Sequence, residues 1–232
     1  MIKRKKTVNI LLLIGTFSTT LIVGQNNNNT QSGRIEVKEQ KTIRTPEEAV
    51  EELKNGNLRF LANAPINTNF KGQIEATKGN QAPHSIILSC IDSRIPPEII
   101  FDQGIGNVFV ARVAGNIQDP NILGSMEFAT KVIGSKLIVV MGHNRCGAIR
   151  GAIENVQLGN LTQLVNQIKP SIPIDAVDAD SKSTRTALQN VKLTISSIMN
   201  NSQVIKGLIA EGKVKIVGAF YDVTSGKVTF YE

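Results

Sequence analysis

The chain has 232 residues, a formal charge of +7 and 41% hydrophobic residues, the profile of a globular protein with a proper core. It holds no tryptophan and only 4% aromatic residues, so stacking platforms for bases or sugars are scarce. Lys3, Arg4, Lys5 and Lys6 supply four of the seven excess positive charges, and the excess of three that is left is spread among acids, which argues against a nucleic-acid partner.

That basic cluster is followed by TVNILLLIGTFSTTLIVG, residues 7–24, an apolar run without an acid. A positive stretch ahead of an apolar one is the pattern of a secretory signal, so residues 1–24 are read as a signal peptide, with Gly24 as the candidate last residue removed. No A-x-A site is present, and the run is near the lower length for spanning a bilayer, so an uncleaved membrane anchor is the alternative. Either reading exports the rest of the chain to the periplasm or beyond, with membrane contact only through this segment. Residues 25–44, opening with QNNNNTQSG, read as a polar linker, and residues 45–232 as a single domain.

The domain opens with a helix over 45–61: Thr45 caps it, Pro46 suits its first turn, and Glu48 completes a T-x-x-E capping box. Residues 62–83, rich in Asn, Gly and Pro, read as loop with room for a short helical piece. SIILS (85–89), VFVA (108–111), LIVVM (137–141) and VKIVGAF (214–220) are unbroken apolar runs, as in strands buried on both faces of a parallel sheet. Between them helical spacing recurs over 122–134, with Asp119 or Asn121 as the cap, over 148–157, and over 184–199, where Leu188, Val191, Ile195 and Ile198 share a face. After a Ser225-Gly226 turn, KVTFY (227–231) is expected to pair antiparallel with the strand before it. The alternation predicts an α/β domain: a mostly parallel central sheet flanked by helices, with a C-terminal antiparallel strand.

Cysteine and histidine are rare, and three of the four such residues fall in two short motifs. Cys90 follows the SIILS strand in SCIDSR, and His143 and Cys146 follow the LIVVM strand in GHNRCGA. Parallel sheets place their sites at the carboxyl ends of strands, so these three side chains can meet in one crevice. Two cysteines and one histidine are a ligand set of catalytic zinc, with a fourth position open. Gly142 and Gly147 are expected to let the H-x-x-C loop turn, and a helix starting beside Cys146 favours its thiolate. Asp92 and Arg94 share parity along an extended chain and can pair, which keeps the carboxylate ionised and oriented. Beside zinc, Asp92 can accept a hydrogen bond from water or become a fourth ligand that closes the site. A Cys90–Cys146 disulfide in an exported protein is the competing reading. His84 reads as a structural or surface residue, and Ser93 and Gly115 as positions for support or close backbone approach.

SCIDSRIPPEIIFDQGIGNVFVARVAGNI (89–117), LIVVMGHNRCGAIRGA (137–152) and GKVKIVGAFYDVTSGKVTFY (212–231) together resemble the signature regions of the beta-class carbonic anhydrases, and the likeness runs over residues 45–232. The resemblance implies Zn2+ held by Cys90, His143 and Cys146, an Asp92–Arg94 catalytic dyad, and reversible hydration of carbon dioxide to bicarbonate. It also implies a homodimer or tetramer with sites near the subunit interface. Gln103 lies in the neighbourhood of the family's carbon dioxide pocket, without a role assigned to it. Carbonyl sulfide and carbon disulfide hydrolases resemble the same family at the same zinc motif, and a non-catalytic exported protein stapled by zinc or a disulfide is the alternative from another class.

Overall fold

The protein is described from a computed structural model, which covers residues 42–175 and 178–231. The segment expected to be a signal peptide, 1–24, and the expected linker up to residue 41 lie outside the described residues. Among the described residues, no helix is long and apolar enough to cross a membrane.

Four strands run parallel: β1 (Ser85–Ser89), β2 (Val108–Arg112), β3 (Leu137–His143) and β4 (Lys215–Tyr221). β5 (Val228–Tyr231) lies antiparallel to β4, and the sheet order is β2-β1-β3-β4-β5. The chain passes from β1 outward to β2, then crosses back to lay β3 on the other side of β1. The carboxyl ends of β1 and β3 therefore flank the point where strand order reverses, and open α/β sheets leave a crevice there.

Period-two alternation along the strands sends side chains to two cores, one on each face of the sheet. Ile87, Leu137, Val139 and Met141 pack with Ala49 and Leu53 of α1 (Pro46–Leu61), Ile149 and Ala152 of α5 (Gly147–Ile153), and Val165 and Ile168 of α6 (Gly159–Ile168). Ile86, Leu88, Ile138 and Val140 pack with Leu123 and Met126 of α4 (Pro120–Glu127), Val191 and Ile198 of α7 (Ala179–Asn201), and Ile205 and Leu208 of α8 (Gln203–Ala210). Two further helices, α2 (Phe70–Thr77) and α3 (Pro97–Ile100), fill out the connections.

The capping box forms as expected: Thr45 Oγ1 accepts from Glu48 N at 3.1 Å, and Glu48 Oε2 accepts from Thr45 N at 3.3 Å. Gly56 of α1 meets the backbone beside α3, where an added Cβ would lie 1.8 Å from the Phe101 carbonyl oxygen. The neighbour is backbone and cannot rotate away. Gly56→Ala is expected to cost about 3 kcal/mol, read as a lower denaturant midpoint at unchanged slope.

Several boundaries differ from the sequence expectation. β3 runs two residues past LIVVM, so His143 is the last residue of a strand and pairs with Tyr221. The helix expected over 122–134 is α-helical only to Glu127; Thr130 Oγ1 then donates to the Met126 carbonyl at 2.7 Å, and Phe128–Ile133 widens into a π-helical turn. Asp119 is its cap, accepting from Asn121 N and Ile122 N. The helix expected to reach residue 157 stops at Ile153, because Asn155 takes a left-handed conformation and Val156 N bonds back to the Gly151 carbonyl. α6 and α8 had no expectation. α7 is longer than 184–199 and buries Thr186, Asn190 and Thr194 beside its apolar residues.

Candidate metal centre

β1 delivers Cys90 one residue beyond its end, β3 ends on His143, and Cys146 caps α5. All three side chains are buried, and their ligand atoms lie within 4.8 Å of one another. Both cysteines are free, with their sulfurs 3.9 Å apart. That is far beyond a disulfide bond of about 2.05 Å, so the disulfide reading is not the arrangement present. It matches two sulfurs on one tetrahedral zinc, which at about 2.3 Å from the ion stand about 3.8 Å apart.

His143 fits the same ion. Its Nδ1 lies 2.8 Å from the Asn144 carbonyl oxygen, which only accepts, so Nδ1 carries the proton and Nε2 the lone pair. Nε2 is buried and has no hydrogen-bond partner, an arrangement that costs free energy unless something binds there. A thiol pair, an orphaned imidazole nitrogen and a fixed tautomer are the donor set a borderline-soft divalent cation requires.

The thiols share their protons. The Cys146 thiol donating to Cys90 sulfur pulls Cys90 well below the ordinary thiol range, with the Gly115 N–H at 3.3 Å adding to this. The same contact, together with burial, pushes Cys146 up, while the Ile149 and Ala148 N–H groups of the first turn of α5 partly oppose it. A divalent cation held by Cys90 and Cys146 would take the place of the shared proton and stabilise the second thiolate.

Gly115 is the close-approach position: its φ is +72°, and an added Cβ would lie 2.6 Å from Ile168 Cδ1. Asn190 Nδ2 donates to its carbonyl at 2.7 Å, so a buried amide on α7 steadies the residue whose N–H faces Cys90.

Asp92 and Arg94 pair, though within a turn closed by Ile95 N to Asp92 O rather than along an extended strand. Arg94 Nε donates to Asp92 Oδ1 at 2.9 Å and Nη2 to Oδ2 at 2.7 Å, and Arg94 N also donates to Oδ1. This two-point grip holds the Asp92 pKa at about 2. Both carboxylate oxygens are thus engaged by Arg94, and Asp92 is outside the cluster of three ligand atoms. Arg94 Nη2 also reaches the Arg145 carbonyl at 3.3 Å, tying the two motifs together.

Arg112 is a supporting residue the sequence reading missed. From the end of β2 it donates Nε to the Cys90 carbonyl at 3.0 Å and Nη2 to the Asp92 carbonyl at 2.6 Å, fixing the loop that carries both. A charge closing an apolar strand, VFVAR, was the available signal.

Other expectations are redirected. Gly142 lies inside β3, where an added Cβ would meet Val191 Cγ2 at 2.7 Å, so it serves the packing of α7. The turn depends on Arg145, at φ +53°. Ser93 is exposed. His84 is buried, its Nδ1 2.7 Å from Ser85 Oγ and its Nε2 3.0 Å from Gln103 Oε1. Burial lowers its pKa, and it sits before β1, at the end of the strand away from Cys90. Gln103 is engaged there too, donating to the Phe101 carbonyl at 2.8 Å.

Fold and cluster together define an α/β protein with a metal-ready Cys-His-Cys site at the switch point of its sheet. The family model described as carbonic anhydrase matches residues 85–228. Carbonic anhydrase 2 of Mycobacterium tuberculosis is 36% identical over 188 residues, covering 78% of this chain and 91% of that protein. The carbonic anhydrase of Mycolicibacterium smegmatis is 34% identical over 190 residues, covering 79% and 92%. Among solved structures, a tetrameric beta-carbonic anhydrase of Sordaria macrospora superposes with a TM-score of 0.63 at 27% identity, over 79% of this chain and 96% of that one. CafA of Aspergillus fumigatus gives 0.65 at 24% identity, over 80% and 90%, a likeness of fold. This chain belongs to the beta-class carbonic anhydrases, a family of lyases.

Proposed function

We propose that the chain catalyses the reversible hydration of carbon dioxide to bicarbonate and a proton, with Zn2+ held by Cys90, His143 and Cys146 and with Asp92 and Arg94 as the catalytic pair. The observation that carries this is the buried convergence of two thiols and an unpartnered imidazole nitrogen within 4.8 Å, in a chain of this family. Zinc, when bound, supplies the Lewis acidity that makes water a nucleophile near neutral pH.

The chain's own residues do the rest. Cys90 and Cys146 bring two negative charges, which oppose loss of a proton from water beside them. Asp92 offsets this by accepting that water's hydrogen bond at a carboxylate oxygen, and it is ionised across the neutral range because Arg94 holds its pKa at about 2. Arg94 also fixes the direction of the carboxylate, and Arg112 fixes the peptides of Cys90 and Asp92. Burial of the three donors keeps competing ligands and oxidants from the sulfurs.

Stopped-flow assay of the full chain with carbon dioxide, before and after chelation, tests the reading. Chelation is expected to lower the rate at least about a hundredfold, and added Zn2+ to restore it. A rate indifferent to metal sinks the proposal; faster turnover of carbonyl sulfide or carbon disulfide would reassign the substrate.

We also read the working molecule as a homodimer or tetramer outside the cytoplasm. Oligomerisation is supported by the tetrameric Sordaria relative and by exposed Ile66, Phe70 and Ile74 on one stretch of chain; export is supported by the basic and apolar pattern of residues 1–24. Sedimentation and cell fractionation check these two points.

A further inference from the structure

We infer that Asp222, in the turn between β4 and β5, is a positioning residue for the metal centre, acting through Asn144 on the ligand His143. The inference rests on the metal reading above and extends it to the C-terminal hairpin.

His143 ends β3, and the chain then leaves the sheet through Asn144 and the left-handed Arg145 to reach Cys146. This short stretch separates two ligands, and its conformation sets where both point. The imidazole is oriented by one bond, Nδ1–H to the Asn144 carbonyl at 2.8 Å, so the ring is as steady as the Asn144 peptide. The preceding peptide unit donates Asn144 N–H to Tyr221 O at a long 3.4 Å.

The Asn144 side chain supplies the missing anchor. Its Nδ2 donates to Asp222 Oδ1 at 2.7 Å, and its Oδ1 accepts from Val223 N at 2.8 Å. Both partners belong to one turn, and the first bond is charge-assisted. Asp222 is itself fixed: it accepts from Thr224 N at 2.9 Å and Ser225 Oγ at 2.8 Å, and its carbonyl accepts from Gly226 N at 2.8 Å. Asn57 of α1 then grips the β5 end of the turn, donating to the Gly226 carbonyl at 3.0 Å and accepting from Val228 N at 2.9 Å. A continuous set of hydrogen bonds thus runs from α1 through the turn to the ring that carries Nε2. Carboxylates that orient a ligating histidine usually bond it directly; here one residue stands between them.

The test measures the zinc dissociation constant of the full chain by competition with a chromophoric chelator. Asn144→Ala removes both anchoring bonds and leaves the turn's own bonds in place; it is expected to raise the constant about tenfold. Asn144→Ser, which keeps a hydroxyl for Val223 N and loses the link to Asp222, is expected to weaken zinc in the same direction, and decides the matter if the alanine variant does not fold. Asp222→Ala, which removes the acceptor of Asn144 Nδ2 and leaves Asn144 itself intact, is expected to weaken zinc in the same direction. Unchanged zinc affinity in the folded Ala or Ser variant, with only the thermal midpoint lowered, would show that the clamp merely closes the hairpin and overturns the inference. So would a folded Asp222→Ala variant that binds zinc as tightly as the original chain. A wild-type chain that binds no zinc, or binds it equally well with Cys146→Ser, overturns the metal reading itself, an outcome distinct from the other two.

Discussion

Cys146→Ser is expected to abolish zinc binding and to cut kcat/KM for carbon dioxide at least about a thousandfold. Lewis-acid activation contributes several kcal/mol to such a reaction, and each 1.36 kcal/mol is about a factor of ten. Serine has nearly the same shape but is a poor ligand. The first-turn N–H groups of Ile149 and Ala148 favour a thiolate at Cys146, yet they cannot ionise an alcohol at neutral pH. Cys90 then faces a hydroxyl across the 3.9 Å gap now spanned by sulfur. The substitution changes little else, because α5 and the surrounding apolar side chains meet the same volume. Metal analysis and circular dichroism on the same sample separate the outcomes. The metal-free forms of both proteins should melt together, and only the wild type should gain stability from added Zn2+. One zinc per chain in the serine variant would refute the ligand assignment.

Asp92→Asn is expected to keep one zinc per chain and lower kcat about a hundredfold to a thousandfold, the range for removing a positioned proton acceptor. The amide matches the carboxylate in shape, but it cannot accept from Arg94 at both oxygens as Asp92 does at 2.9 and 2.7 Å. It also puts a donor where an acceptor is needed. With its pKa held at about 2, Asp92 is depressed from the usual carboxylate value, so its contribution is complete above about pH 4 and lost only as pH falls through about 2. The pH dependence of activity near neutrality therefore reports some other group, and the variant should have a lower plateau. Full activity in Asp92→Asn would remove the residue from the mechanism.

Much of this was legible because the informative spacings are local. Apolar runs of strand length placed β1, β2, β3 and β4, and the capping box at Thr45 and Glu48 placed α1. These depend on dihedral preferences and on side-chain periods of two and 3.6, which a few consecutive residues encode. What competed with them locally was harder to see. The Thr130 hydroxyl that takes the Met126 carbonyl widened a helix, and Asn155 ended another, through bonds that periodicity does not register. α6 is hard to see in the sequence because GNLTQLVNQI opens on glycine and is half polar. Glycine permits turns, and the sequence therefore points Gly142 toward one, whereas its place in β3 is explained only by α7 packed against it.

The kinds of atom at the metal centre, two sulfurs and one imidazole, follow from the sequence alone, as do the Asp92–Arg94 pairing and the strands that carry these residues. Their meeting does not. Cys90 and His143 come together because β1 and β3 are neighbours in register, with Ser89 beside Met141, and that adjacency is set by the packing of two cores rather than by any local preference. The reach of Arg112 to the Cys90 loop and of Asp222 to Asn144 likewise spans segments distant along the chain. Covalent geometry limits what neighbours can do, while contacts between distant segments depend on how the whole chain buries its apolar surface, and only the tertiary structure decides that.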